Sequence, residues 1–200
     1  NLNERHSYPP KKNKTQVELP SRFEWGGRVS LLGSFAPSGK TLRFLLDTAS
    51  TATLILNEES IKGLNQVDLG KSFLMGLNGF VEGRSIQIPS LALGELNLDH
   101  WAFHLGREPS FMGEEGILGS DFIHGNVIII SFRKKTVTIV KEDSFQASKE
   151  TIRVPITIEN KNPIIEAELD GKTIKLIVDT GMAGGIILSQ RAVKKRNWIE

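Results

Sequence analysis

Two stretches, Leu45-Leu46-Asp47-Thr48-Ala49 and Ile177-Val178-Asp179-Thr180-Gly181, carry the same pattern of two apolar residues, an aspartate, a threonine and a small residue. The aspartates lie 179 − 47 = 132 positions apart, and at this offset the flanking residues align without a gap, as 39–43 with 171–175. The packing of a β-sheet could explain two similar apolar runs, but it does not explain why each run is followed by an aspartate. The repeat therefore predicts two lobes that each supply one aspartate to a shared site.

Composition describes a globular chain of 200 residues, of which 39% are hydrophobic and 24% charged, with a formal net charge of +2. No apolar run reaches the roughly 20 residues that span a bilayer, and the small charge does not indicate nucleic-acid binding. The absence of cysteine excludes disulfides and thiolate metal sites. It leaves the compartment open, and we expect a secreted or periplasmic location rather than a cytoplasmic one.

Short runs of Val, Ile, Leu and Phe between Gly, Asn, Pro and Ser predict a mostly β protein with tight turns. Residues 1–22 are basic, contain prolines and show little apolar periodicity, which predicts a flexible leader. Residues 142–150 are polar and predict a linker. We therefore expect a first lobe over 23–141 and the start of a second lobe over 151–200.

Two short helices are expected at equivalent places after the two aspartates. One begins at the capping residue Asn57 and stops at Gly63, and the other begins at Ser189 and ends in basic residues. The helices extend the repeat beyond the acids themselves. His100 and His104 are expected on a strand and not in a metal site, because no Glu follows them in the order of zinc proteases.

An aspartate at the end of a buried strand enters a turn in which backbone N–H groups can hold its carboxylate. A small residue two positions later lets the chain turn closely around it. A twofold axis between two such turns would bring the carboxylates about 3 Å apart, where they share one proton because both cannot ionise. The alternative is that Asp47 and Asp179 are ordinary turn residues at strand ends.

The motifs resemble the signature of the retropepsin-like and pepsin-like aspartic proteases, in which two apolar residues precede Asp-Thr-Gly and an apolar-apolar-glycine element follows later. Residues 117–119 match this later element, and residues 120–123 extend it in the way common in bacterial members. Residues 76–80 fall where the family carries its flap, a hairpin that closes over bound peptide. The resemblance covers residues 28–140 as one complete unit and 152–197 as the opening of a second.

This resemblance implies a mostly β fold with a closed, retropepsin-like β-barrel lobe that is duplicated about a pseudo-twofold axis. The second lobe would be incomplete, because a full repeat needs about 70 to 80 residues beyond Glu200. The implied activity is that of an aspartic endopeptidase acting on a peptide or protein substrate, without metal or cofactor. The implied site residues are the catalytic Asp47 and Asp179, the turn residues Thr48, Ala49, Thr180 and Gly181, the supporting Ile117, Leu118 and Gly119, and the flap residues Gly76, Leu77, Asn78, Gly79 and Phe80.

Two departures from the family pattern leave alternatives open. Ala49 replaces the first glycine, and this sequence contains no second apolar-apolar-glycine element after Asp179. One alternative is a peptide-binding module that no longer cleaves and holds extended segments by strand addition. Another is a first lobe that dimerises to pair two Asp47 residues. A second polypeptide or a second copy would complete the active site in such arrangements.

Overall fold

The computed structural model of the chain describes residues 14–76, 79–106, 113–196 and 198. Within these ranges, no helix is long and apolar enough to cross a membrane. The strands are β1 (Gln16–Leu19), β2 (Ser21–Phe23), β3 (Val29–Phe35), β4 (Lys40–Leu46), β5 (Leu54–Ile55), β6 (Val67–Gly76), β7 (Gly79–Leu93), β8 (Leu96–Leu105), β9 (Gly116–Leu118), β10 (Asn126–Ser131), β11 (Thr136–Lys141), β12 (Thr157–Glu159), β13 (Asn162–Leu169) and β14 (Lys172–Ile177). The α-helices are α1 (Ser120–Ile123) and α2 (Gln190–Arg196), and 3-10 turns lie at Trp25–Gly27, Glu58–Ile61 and Glu142–Ser144.

Six strands of the first lobe form a closed barrel in the order β3-β4-β9-β5-β8-β7. The ring closes where Ser34 and Phe35 of β3 pair with Ala92 and Leu91 of β7. Neighbouring strands are antiparallel except for β4 with β9 and β5 with β8, which are parallel. The mostly β fold with a closed barrel that the sequence predicted is therefore confirmed.

The barrel interior is filled by large apolar side chains from alternate strand positions. Along β4, Leu42, Phe44 and Leu46 are buried, while the residues between them are partly exposed. The ring of Phe44 packs with those of Phe35 and Phe103, with centroids 6.0–6.3 Å apart. Because Leu46 points inward at the end of β4, the next residue leaves the barrel at its rim.

Residues 16–22 belong to the folded lobe. β1 pairs with β11 in a three-stranded sheet of order β1-β11-β10, and β2 pairs with β3. Val17 and Leu19 are buried in the core. The prediction of a flexible leader over 1–22 is therefore wrong for residues 16–22, because their apolar alternation is too short to stand out beside basic residues and prolines. Residues 1–13 lie outside the described ranges.

The residues of the second lobe repeat the first hairpin of the barrel. β13 and β14 pair around a turn at Gly171, as β3 and β4 pair around Gly39, and both glycines have positive φ. β14 leads into Asp179 as β4 leads into Asp47. In the described part of the chain β14 lies at the edge of the sheet β12-β13-β14, whereas β4 is paired on both sides.

Both short helices expected after the aspartates are present. The Asn57 side chain accepts a hydrogen bond from Glu59 N at 3.0 Å, although the turn that follows is 3-10 and not α-helical. At the start of α2, Ser189 Oγ accepts from Ala192 N at 3.2 Å. Side-chain capping of the first free N–H groups explains why each helix begins where the sequence predicted.

Candidate active site

Asp47 and Asp179 come together at the ends of equivalent strands, close enough for the charge of Asp179 to act on the Asp47 carboxyl. Asp47 directly follows β4, and Asp179 follows β14 after one further residue. Side chains that lie 132 residues apart in the sequence therefore meet at one place. Asp47 N donates to Leu118 O at 3.0 Å, which fixes the backbone of this acid against β9.

Each carboxylate is held by two backbone N–H groups of its own turn. Asp47 Oδ1 accepts from Ala49 N at 2.8 Å and from Ser50 N at 3.0 Å. Asp179 Oδ1 accepts from Gly181 N at 2.8 Å and from the next residue at 3.1 Å. The two turns thus hold their acids in matching geometry, although one contains alanine where the other contains glycine.

Burial raises the pKa of Asp47 from 3.8 to about 6, and the negative charge of Asp179 adds to this rise. The N–H groups of Ala49 and Ser50 act in the opposite direction, because they stabilise the ionised form. Two carboxyls in hydrogen-bond contact resist joint ionisation and titrate as a pair. Below about pH 6 the Asp47 carboxyl therefore retains its proton, so that it can act as an acid beside Asp179.

The hydroxyl groups of Thr48 and Thr180 join the two turns. Thr48 N donates to Thr180 Oγ1, and Thr180 N donates to Thr48 Oγ1, both at 3.1 Å. Each hydroxyl also donates to a backbone carbonyl of the other lobe, from Thr180 Oγ1 to Leu46 O at 2.7 Å and from Thr48 Oγ1 to Val178 O. This symmetric set of hydrogen bonds holds the two acids in register.

Gly181 lies against the side chain of Asp47. A Cβ atom at this position would lie 2.6 Å from Asp47 Cγ and 2.7 Å from Asp47 Oδ2. Such distances are too short for any side chain to fit without displacing the carboxyl. The glycine of this turn is therefore required by the close approach of the opposite acid, and its φ lies outside the left-handed region.

The Ile-Leu-Gly segment supports the loop that carries Asp47. β9 runs parallel to β4, with Ile117 beside Leu45 and Leu118 beside Leu46. A Cβ at Gly119 would lie only 2.5 Å from the carbonyl oxygen of Ala52, so the loop packs directly on this glycine.

Residues 34–122 match the sequence profile of a family described as aspartyl protease. This range contains Asp47 and the Ile-Leu-Gly segment that packs on its loop. Over this range, the first lobe is similar to the aspartyl protease family. Among solved structures, a retropepsin-like aspartic protease from Rickettsia conorii is similar, with 13% sequence identity over 67% of this chain and 95% of that chain and a TM-score of 0.43. No curated protein matches the sequence.

The hairpin at the position of the family's flap is formed by β6 and β7. Its strands pair as far as Gly76 with Gly79, and Phe80 lies in β7. Leu77 and Asn78 lie outside the described residues. The structure therefore contains the arms of the hairpin, and the action of this hairpin as a flap stays a prediction.

His100 and His104 lie on β8, as the sequence predicted. His104 Nδ1 is 2.8 Å from Ser85 Oγ, and burial lowers the pKa of His104 although the charge of Asp121 acts in the opposite direction. Within the described ranges, no three His, Cys, Asp or Glu side chains are grouped so that they could hold a metal ion.

Sequence reasoning gave no role to Thr53 and Asp121, which pack behind the Asp47 loop of the first lobe. Thr53 is fully buried, and Asp121 is 3% exposed. The sequence did contain one signal, because Asp121 lies in a mostly apolar segment two residues after Gly119. A carboxylate buried in such a segment requires hydrogen-bond donors from elsewhere in the fold.

Proposed function

We propose that this protein is an aspartic endopeptidase in which Asp47 and Asp179 activate water for attack on a peptide carbonyl. The observation that carries the proposal is the meeting of the two carboxyls, each held by two backbone N–H groups. The similarity of residues 34–122 to the aspartyl protease family supports the same reaction class. A pair that shares one proton contains the base and the acid that hydrolysis of an amide requires.

In the proposed reaction, the ionised carboxylate takes a proton from water while the water oxygen bonds to the carbonyl carbon. The protonated carboxyl gives its proton to the carbonyl oxygen, and a tetrahedral diol forms. The C–N bond then breaks as one hydroxyl proton returns to the pair and the leaving nitrogen accepts a proton from it. The pair ends with one proton, as it began, and no covalent intermediate with the protein is formed.

We further propose that residues 76–80 act as the flap over an extended peptide. The pairing of β6 with β7, which extends to Gly76 and Gly79, supports this proposal because a flap is a hairpin. An extended peptide would offer backbone donors and acceptors to such a hairpin, as in strand addition.

A second polypeptide or a second copy would complete the site on the side of Asp179. Four alternate residues before and within β12, namely Ile152, Val154, Ile156 and Ile158, are 54–88% exposed. Exposed β-branched side chains at alternate positions are suited to packing against further strands. In the first lobe, the equivalent support of Asp47 comes from β9.

The reaction is tested with an unfolded protein substrate between pH 4 and 7, over a range of enzyme concentrations. Asp47→Asn and Asp179→Asn should each lower kcat by about 10²- to 10⁴-fold, since a positioned acid or base contributes that much. Asp143→Asn, which changes an exposed carboxylate, is the matched control and should have no effect. Unchanged hydrolysis in either of the first two variants would show that the mechanism is wrong.

The concentration series also tests how the site is completed. If a second copy contributes, specific activity should rise with enzyme concentration, together with the mass measured by light scattering. If the chain is a binding module, a transition-state mimic of the pepstatin type should bind weakly and equally to wild type and Asp47→Asn. A protease should bind the mimic far more tightly than Asp47→Asn does.

A further inference from the structure

A buried hydrogen-bond network lies behind the turn of Asp47, at the start of α1. Asp121 accepts hydrogen bonds from Thr53 N at 3.0 Å, from Thr53 Oγ1 at 2.8 Å and from Phe122 N at 3.0 Å. All three residues are buried. A carboxylate removed from water is costly unless donors surround it, and here the loop that follows Asp47 supplies two of these donors.

The same loop carries the donors that hold Asp47. Ser50 N donates to Asp47 Oδ1, and Ser50 O accepts from Ser120 N at 2.7 Å. Ser50 Oγ also donates to Ala52 O at 2.8 Å. Residues 49–53 are therefore fixed by the beginning of α1 at two points, at Ser50 through the backbone and at Thr53 through Asp121.

We propose that Asp121 and Thr53 are positioning residues, which fix residues 49–53 so that the N–H groups of Ala49 and Ser50 hold Asp47 against Asp179. The inference rests on the proposed function of the two aspartates. Neither residue touches the acids, so their effect passes through the backbone of the loop.

The contacts of Asp121 require a carboxylate and not simply a polar side chain. Thr53 N donates to Oδ2, while Thr53 Oγ1 and Phe122 N donate to Oδ1. Both oxygens therefore act as acceptors. An asparagine would place an NH₂ group against at least one of these donors, leaving it unsatisfied in a buried position.

The network belongs to the first lobe and is not part of the repeat. At the offset of 132, the equivalent of Thr53 is Gly185, which has no hydroxyl to donate. The acids are thus held by matching turns, but only the turn of Asp47 is fixed by this side-chain pair among the described residues. We expect disruption of the network to act on Asp47 first.

The charged and polar groups around Asp47 and Asp121 determine how a movement of residues 49–53 would change the pKa of Asp47. Burial and the charge of Asp179 raise the pKa of Asp47, and the N–H groups of Ala49 and Ser50 offset part of this rise. Asp121 influences His104, whose backbone N donates to Thr53 O at 3.0 Å. A loop that moves away would weaken the two N–H bonds, so the pKa of Asp47 would rise further and activity would persist to higher pH.

Three variants test the inference. Thr53→Val removes the hydroxyl and keeps the shape, Thr53→Ser keeps the hydroxyl, and Asp121→Asn removes the charge. Thr53→Val and Asp121→Asn should lower kcat about 10- to 100-fold, as small misplacements of catalytic groups do, with KM changed less than about twofold. The alkaline limb of their pH profile should move upward, whereas Thr53→Ser should match wild type in both readouts.

The inference is overturned if folded Thr53→Val keeps wild-type kcat and the wild-type pH limb, or if only KM changes. If Asp121→Asn does not fold, Thr53→Val decides, because it leaves the charge in place. Carbon-13 NMR titration of the Asp47 carboxyl keeps the test separate from the proposed function. If wild type hydrolyses nothing, the proposed function fails. An upward shift of the Asp47 titration in Thr53→Val, but not in Thr53→Ser, still supports the positioning role. The absence of such a shift in Thr53→Val refutes the positioning role.

Discussion

A single methyl group distinguishes the turns around the two acids, and the structure accounts for where it is tolerated. Ala49 N and Gly181 N each donate to their own aspartate at 2.8 Å, so alanine at 49 does not disturb the turn. Residue 181 cannot carry a methyl group in the same way, because a Cβ there would lie 2.6 Å from Asp47 Cγ. The departure from the family pattern at Ala49 therefore leaves the geometry of the pair intact.

Gly181→Ala should for this reason separate the carboxyls and lower kcat by about a hundredfold. Gly185→Ala is the control, because a Cβ at that glycine meets nothing within 4 Å. The kcat of both variants should be measured beside their thermal unfolding. Equal activity of the two variants would contradict the close approach of residue 181 to Asp47.

The raised pKa of Asp47 predicts a pH-dependent term in stability. Between pH 3.8 and about 6 the folded protein binds this proton more tightly than the unfolded chain does. The stabilisation is complete below pH 3.8 and is lost as pH rises through about 6. Asp47→Asn should lack this loss, which is on the order of 3 kcal/mol for a shift of this size. Urea unfolding of both proteins at pH 4 and pH 7 measures it, and parallel pH dependences would refute the prediction.

The residues of the site differ in how far the sequence could predict them. A repeat at one fixed offset is visible in a single sequence, and it indicated that Asp47 and Asp179 would meet. Their catalytic role stays a prediction. The pairing of Thr53 with Asp121 was not predictable, because the two lie 68 residues apart and no local pattern relates a threonine to a distant carboxylate.

Among the elements, the segment from β9 into α1 positions Asp47 most directly. Gly119 packs on the carbonyl oxygens of Ala52 and Ser50, at 2.5 Å and 2.8 Å from a Cβ placed there. Gly119→Ala should therefore displace the loop, destabilise the fold by about 1 to 3 kcal/mol as overpacking does, and reduce activity.

Gly106→Ala is the matched control for Gly119→Ala. A Cβ at Gly106 would meet its nearest atoms at 3.6 to 3.8 Å, which is ordinary contact. Chemical unfolding of both variants, with kcat measured in parallel, separates the two positions. A Gly119→Ala variant as stable and active as Gly106→Ala would show that the loop does not depend on this glycine.

The strands that escaped prediction are those whose pattern is short. β1 has four residues and β2 has three, and each is stabilised by pairing with a strand distant in sequence, β1 with β11 and β2 with β3. Two buried residues, Val17 and Leu19, are too few to give a periodicity beside a basic, proline-containing segment. The longer strands β3, β4 and β11 were predictable because each is a run of six or seven residues rich in apolar side chains.

For the whole molecule, closure of the barrel depends on the pairing of β3 with β7, and no local signal in the sequence marks that contact. The joining of the two lobes has a simpler basis in Thr48 and Thr180, which each occupy the same place in the repeat. Their hydroxyls donate across the lobe boundary to Val178 O and Leu46 O. Gly184 N also donates to Gly26 O at 3.3 Å. Few other groups hold β13 and β14 against the barrel among the described hydrogen bonds.

The combined variant Thr48→Val with Thr180→Val should therefore release the second lobe without unfolding the first. Each hydrogen bond contributes about 0.5 to 1.5 kcal/mol, so loss of the four bonds made by the threonine hydroxyls should weaken docking by on the order of 2 to 6 kcal/mol. Hydrogen exchange should accelerate in β13 and β14 and stay slow in β7 and β8, whose pairing lies within the barrel. Thr48→Ser with Thr180→Ser keeps both hydroxyls and should exchange as wild type does. Uniform acceleration in both lobes, or none in the valine variant, would mean that other contacts hold the lobes together.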